Sequence, residues 1–288
     1  MTTNDKFIGK IKPNWCQGCG NYSVLAALTR ALTNLGVTPN EVVITSGIGC
    51  SSNLPHWTTT YGIHTLHGRP IPAATGVRLA NPDLTVIAVG GDGDGYGIGL
   101  SHFIHTARRN LNITYIVMNN QINGLTTGQY SPSSQLGQKT VTSPFGVNEY
   151  PINPIALALG AGTSFVARAF SGDRKHLQYI MEQALCHHGF AFIDVLSPCI
   201  TFNRLNTYTW FRERVYKLNS EHDLSDIGIA FNKAQEWGDK IPIGIFYKVI
   251  KPSLKDLDPV LKDKNPIKEP LGFKDQKINI HEVFEEFR

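Results

Sequence analysis

Apolar residues along this chain fall into two alternating textures. Short continuous runs come first: Val42-Val43-Ile44-Thr45, Leu84 to Val89, Ile113 to Met118, Ser164 to Arg168 and Phe190 to Val195. They are too short for helices and rich in β-branched and aromatic side chains, so they predict strands covered on both faces. Between them the apolar positions recur at helical spacing. From Asn21 to Leu35, one helical face collects Val24, Leu25, Leu28, Ala31, Leu32 and Leu35, and Gly36 follows as a stop. Ile98 to Asn110 and Arg174 to His187 also read as helices. Buried strands alternating with helices predict an open α/β fold, a mostly parallel sheet with helices on both faces. The division expected is an α/β domain over 1–202 and a C-terminal extension over 203–288, packed on that domain and on a partner subunit. Lys251 to Lys268 alternates lysine, aspartate and proline, as a solvated extension does. Ile278-Asn279-Ile280 and Val283-Phe284 beyond it could clip onto a partner.

Composition narrows the picture a little. A chain of 288 residues that is 41% hydrophobic can bury one large core. A formal charge of +4 suits anionic small ligands or an acidic partner and gives no reason to invoke nucleic acid. No apolar run approaches the roughly 20 residues a membrane span requires. The start, Met1-Thr2-Thr3-Asn4-Asp5-Lys6, lacks the apolar stretch of a signal peptide. Five cysteines, an odd number, argue for reduced thiols or metal thiolates over a disulfide framework. A cytoplasmic location is expected.

The polar motifs then fall at strand ends. Ser46-Gly47-Ile48-Gly49-Cys50 follows the first predicted strand, Gly91-Asp92-Gly93-Asp94 the second, Asn119-Asn120 the third, and Pro198-Cys199 the last. Open parallel sheets bind ligands outside the carboxyl ends of their strands, so these segments should share one edge. Glycines there let the backbone approach a phosphate and expose its N–H groups. Magnesium asks for one or two protein oxygens besides phosphate and water, and Asp92 and Asn120 supply a carboxylate and a neutral amide oxygen. A lone Gly-Asp-Gly is more often a capped turn. The Asn-Asn pair one strand–helix–strand unit later shifts the balance toward a magnesium–diphosphate site.

The cysteines need separate weighing. A Cys-x-x-Cys such as Cys16 and Cys19 serves zinc or redox chemistry equally well. Single cysteines are most often buried small hydrophobes, the reading given to Cys186 on an apolar helix. Cys16, Cys19, Cys50 and Cys199 instead lie in loops marked by glycine or proline. Four thiolates suit either zinc or a [4Fe–4S] cluster, and spacing does not decide.

Gly-Asp-Gly followed at this remove by Asn-Asn resembles the metal-binding motif of the thiamine diphosphate fold. The resemblance implies Asp92 and Asn120 as Mg2+ ligands, with the backbone carbonyl of Ile122 as a third. The wider pattern resembles the beta subunit of the 2-oxoacid:ferredoxin oxidoreductases in their short-subunit form. Its segments are Trp15-Cys16-Gln17-Gly18-Cys19-Gly20, Ser46 to Ser51, His64-Thr65-Leu66-His67-Gly68-Arg69, Gly90 to Asp94, Asn119-Asn120, Gly124 to Gln129, Ile193 to Cys199 and Glu236 to Gly244. That family implies thiamine diphosphate lined by Ile48, Gly49, Cys50, Ser51, His67, Gly93, Asp94, Gly124 and Leu125, with His64 a weaker candidate. It also implies a [4Fe–4S] cluster on Cys16, Cys19, Cys50 and Cys199, since a structural zinc would give the neighbouring thiamine nothing to pass electrons to.

The implied reaction is oxidative decarboxylation of a 2-oxoacid with coenzyme A, giving acyl-CoA and carbon dioxide and passing electrons to ferredoxin. The fold's activating glutamate normally comes from a pyrimidine-binding domain, for which this chain has no room. An alpha (or alpha and gamma) subunit should supply it, which makes the enzyme a heteromer, at simplest a heterodimer. No catalytic residue is assigned to this chain. Asn53 and Thr127 stand where relatives often carry a basic residue, which leaves both pyruvate and 2-oxoglutarate open. The rival expectations are a non-oxidative thiamine-dependent decarboxylase or lyase subunit and a non-catalytic zinc-binding scaffold.

Overall fold

The computed structural model describes residues 6–269 and 280–285. In chain order its regular elements are α1 (Asn21–Asn34), β1 (Val42–Ser46), β2 (Tyr61–His64), α2 (Pro70–Ala80), β3 (Thr85–Gly91), α3 (Leu100–Arg109), β4 (Ile113–Asn119), α4 (Pro154–Gly160), β5 (Phe165–Phe170), α5 (Arg174–Leu185) and β6 (Phe190–Leu196). α6 (Tyr208–Arg212), β7 (Val215–Lys217), α7 (Ile227–Ala234), β8 (Ile241–Lys248), α8 (Leu254–Leu257) and α9 (Ile280–Glu285) follow. The five predicted apolar runs are β1, β3, β4, β5 and β6. β1, β4, β5 and β6 are buried along their whole length, as strands covered on both faces must be.

One sheet of eight strands runs in the order β2-β1-β3-β4-β6-β5-β8-β7. The first six of these are mutually parallel, while β8 runs antiparallel to β5 and parallel to β7. Helix placement follows from handedness. A right-handed crossover that moves one way along the sheet puts its helix on one face, and a crossover moving back puts it on the other. The chain steps forward from β2 to β3, β3 to β4 and β4 to β5, and Ile71, Phe103, Ile155 and Leu159 of α2, α3 and α4 share one core layer. It steps back from β5 to β6, and Leu177 and Ile180 of α5 join Leu28 and Leu32 of α1 in the opposite layer. α1 ends as its sequence asks: Gly36 takes φ 72°, and Val37 N–H returns to Leu32 O at 3.2 Å.

The register sets the functional edge. Ser46 lies opposite Val89, Gly91 opposite Met118, and Asn119 opposite Leu196. The loops after β1, β3, β4 and β6 therefore leave the sheet side by side.

Two expectations change. Residues 203 onward are no appendage to a finished sheet: β7 and β8 extend it, so the expected division at 202/203 runs through a single sheet. Cys186 is exposed and not a buried hydrophobe, because it caps the C-terminal end of α5, beyond Ala184 on the buried face. In the last segment, Ile278 and Asn279 lie outside the described residues, and Phe284 on α9 is exposed.

Candidate functional site

The loops after β1, β2, β3 and β4 close around a cavity of about 80 Å³. Its lining includes Ile48, Gly49, Cys50, Ser51, His67, Gly93, Asp94, Gly124 and Leu125 together with Asp92, Asn120 and Ile122. All of the residues expected to contact thiamine diphosphate or magnesium are thus brought together. His64 is not: its Nδ1 lies 2.8 Å from Ser46 Oγ, and it stays outside that lining.

Two aspartates divide the labour. Asp92 is 2% exposed, and the Ser131 and Ser133 hydroxyls both reach its Oδ2, Ser133 at 2.6 Å. Burial pushes the Asp92 carboxyl up, against the pull of these hydroxyls and of backbone N–H groups including that of Asn120. Asn120 is fixed from both ends: its Oδ1 accepts the Ile122 N–H at 3.2 Å, and its carbonyl accepts Asn203 Nδ2 at 2.9 Å. Asp94, in contrast, is a clamp. Its Oδ1 accepts N–H groups from Ile48 at 2.9 Å and Gly68 at 2.7 Å, and His67 Nδ1 stands 2.8 Å away. Burial raises its carboxyl, and these donors and His67 oppose the shift. Gly47 makes the arrangement possible, since a Cβ there would sit 2.0 Å from Asp94 Oδ2.

A second cavity of about 250 Å³ adjoins the first and is lined by Cys16, Cys19, Cys50 and Cys199. Cys50, Asn120, Gly124 and Leu125 line both. A Cβ at Gly124 would stand 3.6 Å from Cys199 Sγ and 3.8 Å from Cys50 Sγ. Backbone hydrogen bonds gather the thiol loops: Cys19 N–H to Cys16 O at 3.0 Å and Gly20 N–H to Pro198 O at 3.2 Å. The indole N–H of Trp15 donates to Cys50 O at 2.6 Å, and its ring meets Tyr22 and Trp57 edge-on. Burial pushes the Cys19 thiol up to about 12 and raises Cys50, and neighbouring cysteines add to both shifts. Thiols so buried ionise only with a compensating cation. Among the described residues, no three His, Cys, Asp or Glu are gathered about a single point as a lone metal ion requires. Asn53 lines this cavity, while Thr127 sits exposed at φ 75°.

Behind the first cavity lies a polar chain that sequence reasoning missed. Asp194 and Arg168 are register partners on β6 and β5, 0% and 1% exposed, with Arg168 Nε 3.1 Å from Asp194 Oδ2. Asp194 Oδ1 accepts Tyr96 Oη–H at 2.8 Å and Asn119 Nδ2–H at 3.0 Å. A signal existed: opposite charges inside two otherwise apolar strands imply a buried pair. Ser131 and Ser133 carried no comparable mark.

Comparison with known proteins agrees with this geometry. Residues 47–195 match the family model described as the C-terminal TPP binding domain of thiamine pyrophosphate enzymes. Residues 199–263 match that of the C-terminal part of the pyruvate ferredoxin oxidoreductase beta subunit. The fold is thus of the thiamine diphosphate-binding class. The chain is 43% identical over 264 residues to the beta subunit of 2-oxoacid:ferredoxin oxidoreductase 1 of Aeropyrum pernix, covering 88% of this chain and 82% of that one. It is 47% identical over 248 residues to the corresponding subunit of Saccharolobus solfataricus, covering 82% and 81%. A solved 2-oxoglutarate:ferredoxin oxidoreductase from Magnetococcus marinus, with 2-oxoglutarate, coenzyme A and succinyl-CoA bound, superposes with a TM-score of 0.90 at 38% identity, covering all of this chain and 96% of that one. The chain belongs to the family of 2-oxoacid:ferredoxin oxidoreductase beta subunits. No helix among its described residues is long and apolar enough to cross a membrane.

Proposed function

We propose that this subunit takes part in the CoA-dependent oxidative decarboxylation of a 2-oxoacid, with ferredoxin as electron acceptor. The observation that carries the reading is the wall shared by the two cavities, Cys50, Asn120, Gly124 and Leu125. It sets the cavity lined by four thiols directly against the glycine-rich cavity that bears Asp92 and Asn120. When bound, thiamine diphosphate supplies an electron sink for decarboxylation and an iron–sulfur cluster a one-electron acceptor.

Asp92, Asn120 and the Ile122 carbonyl would hold Mg2+. The glycine-bearing loops of Ile48 to Ser51, Gly93 and Gly124 would cradle the diphosphate. Asp94 keeps the Ile48 and Gly68 loops closed on that cradle. Cys16, Cys19, Cys50 and Cys199 would ligate a [4Fe–4S] cluster, and their spread around a 250 Å³ cavity supports a multi-atom cluster over one zinc ion. Adjacency to the cradle likewise favours an oxidative enzyme over a non-oxidative lyase. Among the described residues no glutamate lines the cavity, which supports an activating glutamate from an alpha subunit. Leu136, Val141, Phe145 and Tyr150 between β4 and α4 are exposed, as a surface awaiting a subunit is.

The test uses the tagged complex, purified without oxygen together with what copurifies. Visible absorption of the iron–sulfur band is followed during additions of pyruvate, then 2-oxoglutarate, each with coenzyme A. Bleaching by one acid is the expected result and names the substrate. A band that never bleaches refutes the reaction, and a colourless zinc protein refutes the cluster.

A further inference from the structure

Asp194 ties together the two loops that carry the candidate cation ligands. Its Oδ1 accepts one hydrogen bond from each: Tyr96, four positions past Asp92 in the π-helical segment Gly93–Ile98, and Asn119, immediately before Asn120. The route continues to Asp92 itself. Ser133 Oγ stands 2.9 Å from Asn119 Oδ1 and 2.6 Å from Asp92 Oδ2. Three polar contacts thus join a carboxylate inside β6 to one at the end of β3.

We propose that Asp194, held by Arg168, is a positioning residue that sets the relative placement of Asp92 and Asn120 around a bound cation. The inference rests on the magnesium reading above and deepens it. A carboxylate at 0% exposure persists only where its partners satisfy it, and all of its partners here are named: Arg168, Tyr96 and Asn119. Ring faces help hold Arg168 in place, with its guanidinium 5.3 Å from Trp237 and 5.5 Å from Phe246. Its Nε fixes Oδ2, which aims Oδ1 at the two loops. Outer groups of this kind orient metal ligands, and losing one typically costs 10–100-fold in metal affinity.

The experiment measures the Mg2+ concentration that half-saturates thiamine diphosphate binding to the purified complex, by quenching of tryptophan fluorescence, alongside the thermal midpoint. Asp194→Asn presents an N–H to Arg168 and should raise the half-saturating Mg2+ by roughly 10–100-fold. Tyr96→Phe removes one hydroxyl and should raise it about fivefold, the equivalent of one hydrogen bond. It decides the question if Asp194→Asn does not fold. Arg168→Lys should bind Mg2+ better than Arg168→Gln. A lower thermal midpoint with unchanged Mg2+ dependence in Tyr96→Phe and Asp194→Asn would reduce the pair to a strut and overturn the inference alone. Wild-type binding that ignores Mg2+ would overturn the magnesium reading together with it.

Discussion

Gly47→Ala tests the clamp at the heart of the cradle. The new Cβ would lie 2.0 and 2.3 Å from the two carboxylate oxygens of Asp94, so the carboxylate must withdraw. It is fully buried, and on leaving it abandons the N–H groups of Ile48 and Gly68, at 2.9 and 2.7 Å. Hydrogen bonds to a charged group contribute about 1.5–3 kcal/mol each, so losing both costs about 3–6 kcal/mol. With a urea m-value of about 3 kcal/mol/M, the unfolding midpoint should drop by about 1–2 M. Ile48 and His67 line the cavity, so thiamine diphosphate affinity should fall in the same variant. Gly76→Ala is the control: it lies within α2, and its Cβ meets nothing within 4 Å. It should stabilise by about 0.5–1 kcal/mol through the unfolded chain. A Gly47→Ala protein that unfolds at the wild-type midpoint and binds the cofactor normally would refute the reasoning.

Other outcomes follow from the same geometry. Cys16→Ser should lose the iron–sulfur absorption and iron content while far-ultraviolet circular dichroism stays unchanged, since Cys16 is exposed and holds no core contact. Trp15→Phe keeps an aromatic ring but drops the 2.6 Å bond to Cys50 O and shrinks a buried side chain; it should cost upward of about 1 kcal/mol and speed bleaching of that band in air. His187 sits against Ser164 Oγ at 2.8 Å, and burial, with Lys248 and His188 nearby, holds its pKa down at about 4. Between about 6.5 and 4 the unfolded chain binds a proton that the folded chain refuses, so stability falls as pH drops through that window. His187→Gln should flatten the decline in a urea-midpoint series. Dialysis against a chelator should release thiamine diphosphate from the complex, and Mg2+ should restore its binding.

Much of the site was legible because its residues are local punctuation. Cys16, Cys19, Asp92, Asn120 and Cys199 all sit at the ends of apolar runs whose period is plain. Elements that lack such runs escaped. β2, Tyr61–His64, is exposed throughout and offers no apolar alternation. α2 carries Pro70, Pro72 and Gly76, which depress helix propensity, yet both prolines fall in its first turn, where no donor is required. β8 holds Pro242 and Gly244 and is specified by pairing with β5 and β7. Ser131 and Ser133 reach Asp92 across 39 and 41 residues, a distance at which local pattern says nothing. Asp94 reads as a cofactor contact and does line the cavity, but only the fold shows that its Oδ1 also holds the Ile48 and Gly68 loops.

The placement of β6 has a consequence for how the molecule is born. This strand lies between β4 and β5, although both are translated before it. Until residues 190–199 emerge from the ribosome, β4 keeps an open edge, Asn119 has no Asp194, and three thiols wait for Cys199. The hydrogen bond from Ser197 to Asn21, spanning 176 residues, shows how long a loop that event closes. Assembly is accordingly slow, and the nascent chain carries a sticky strand edge for the time it takes to translate some seventy codons. A chain interrupted before Cys199 therefore lacks both the strand that closes the sheet and one wall of the second cavity.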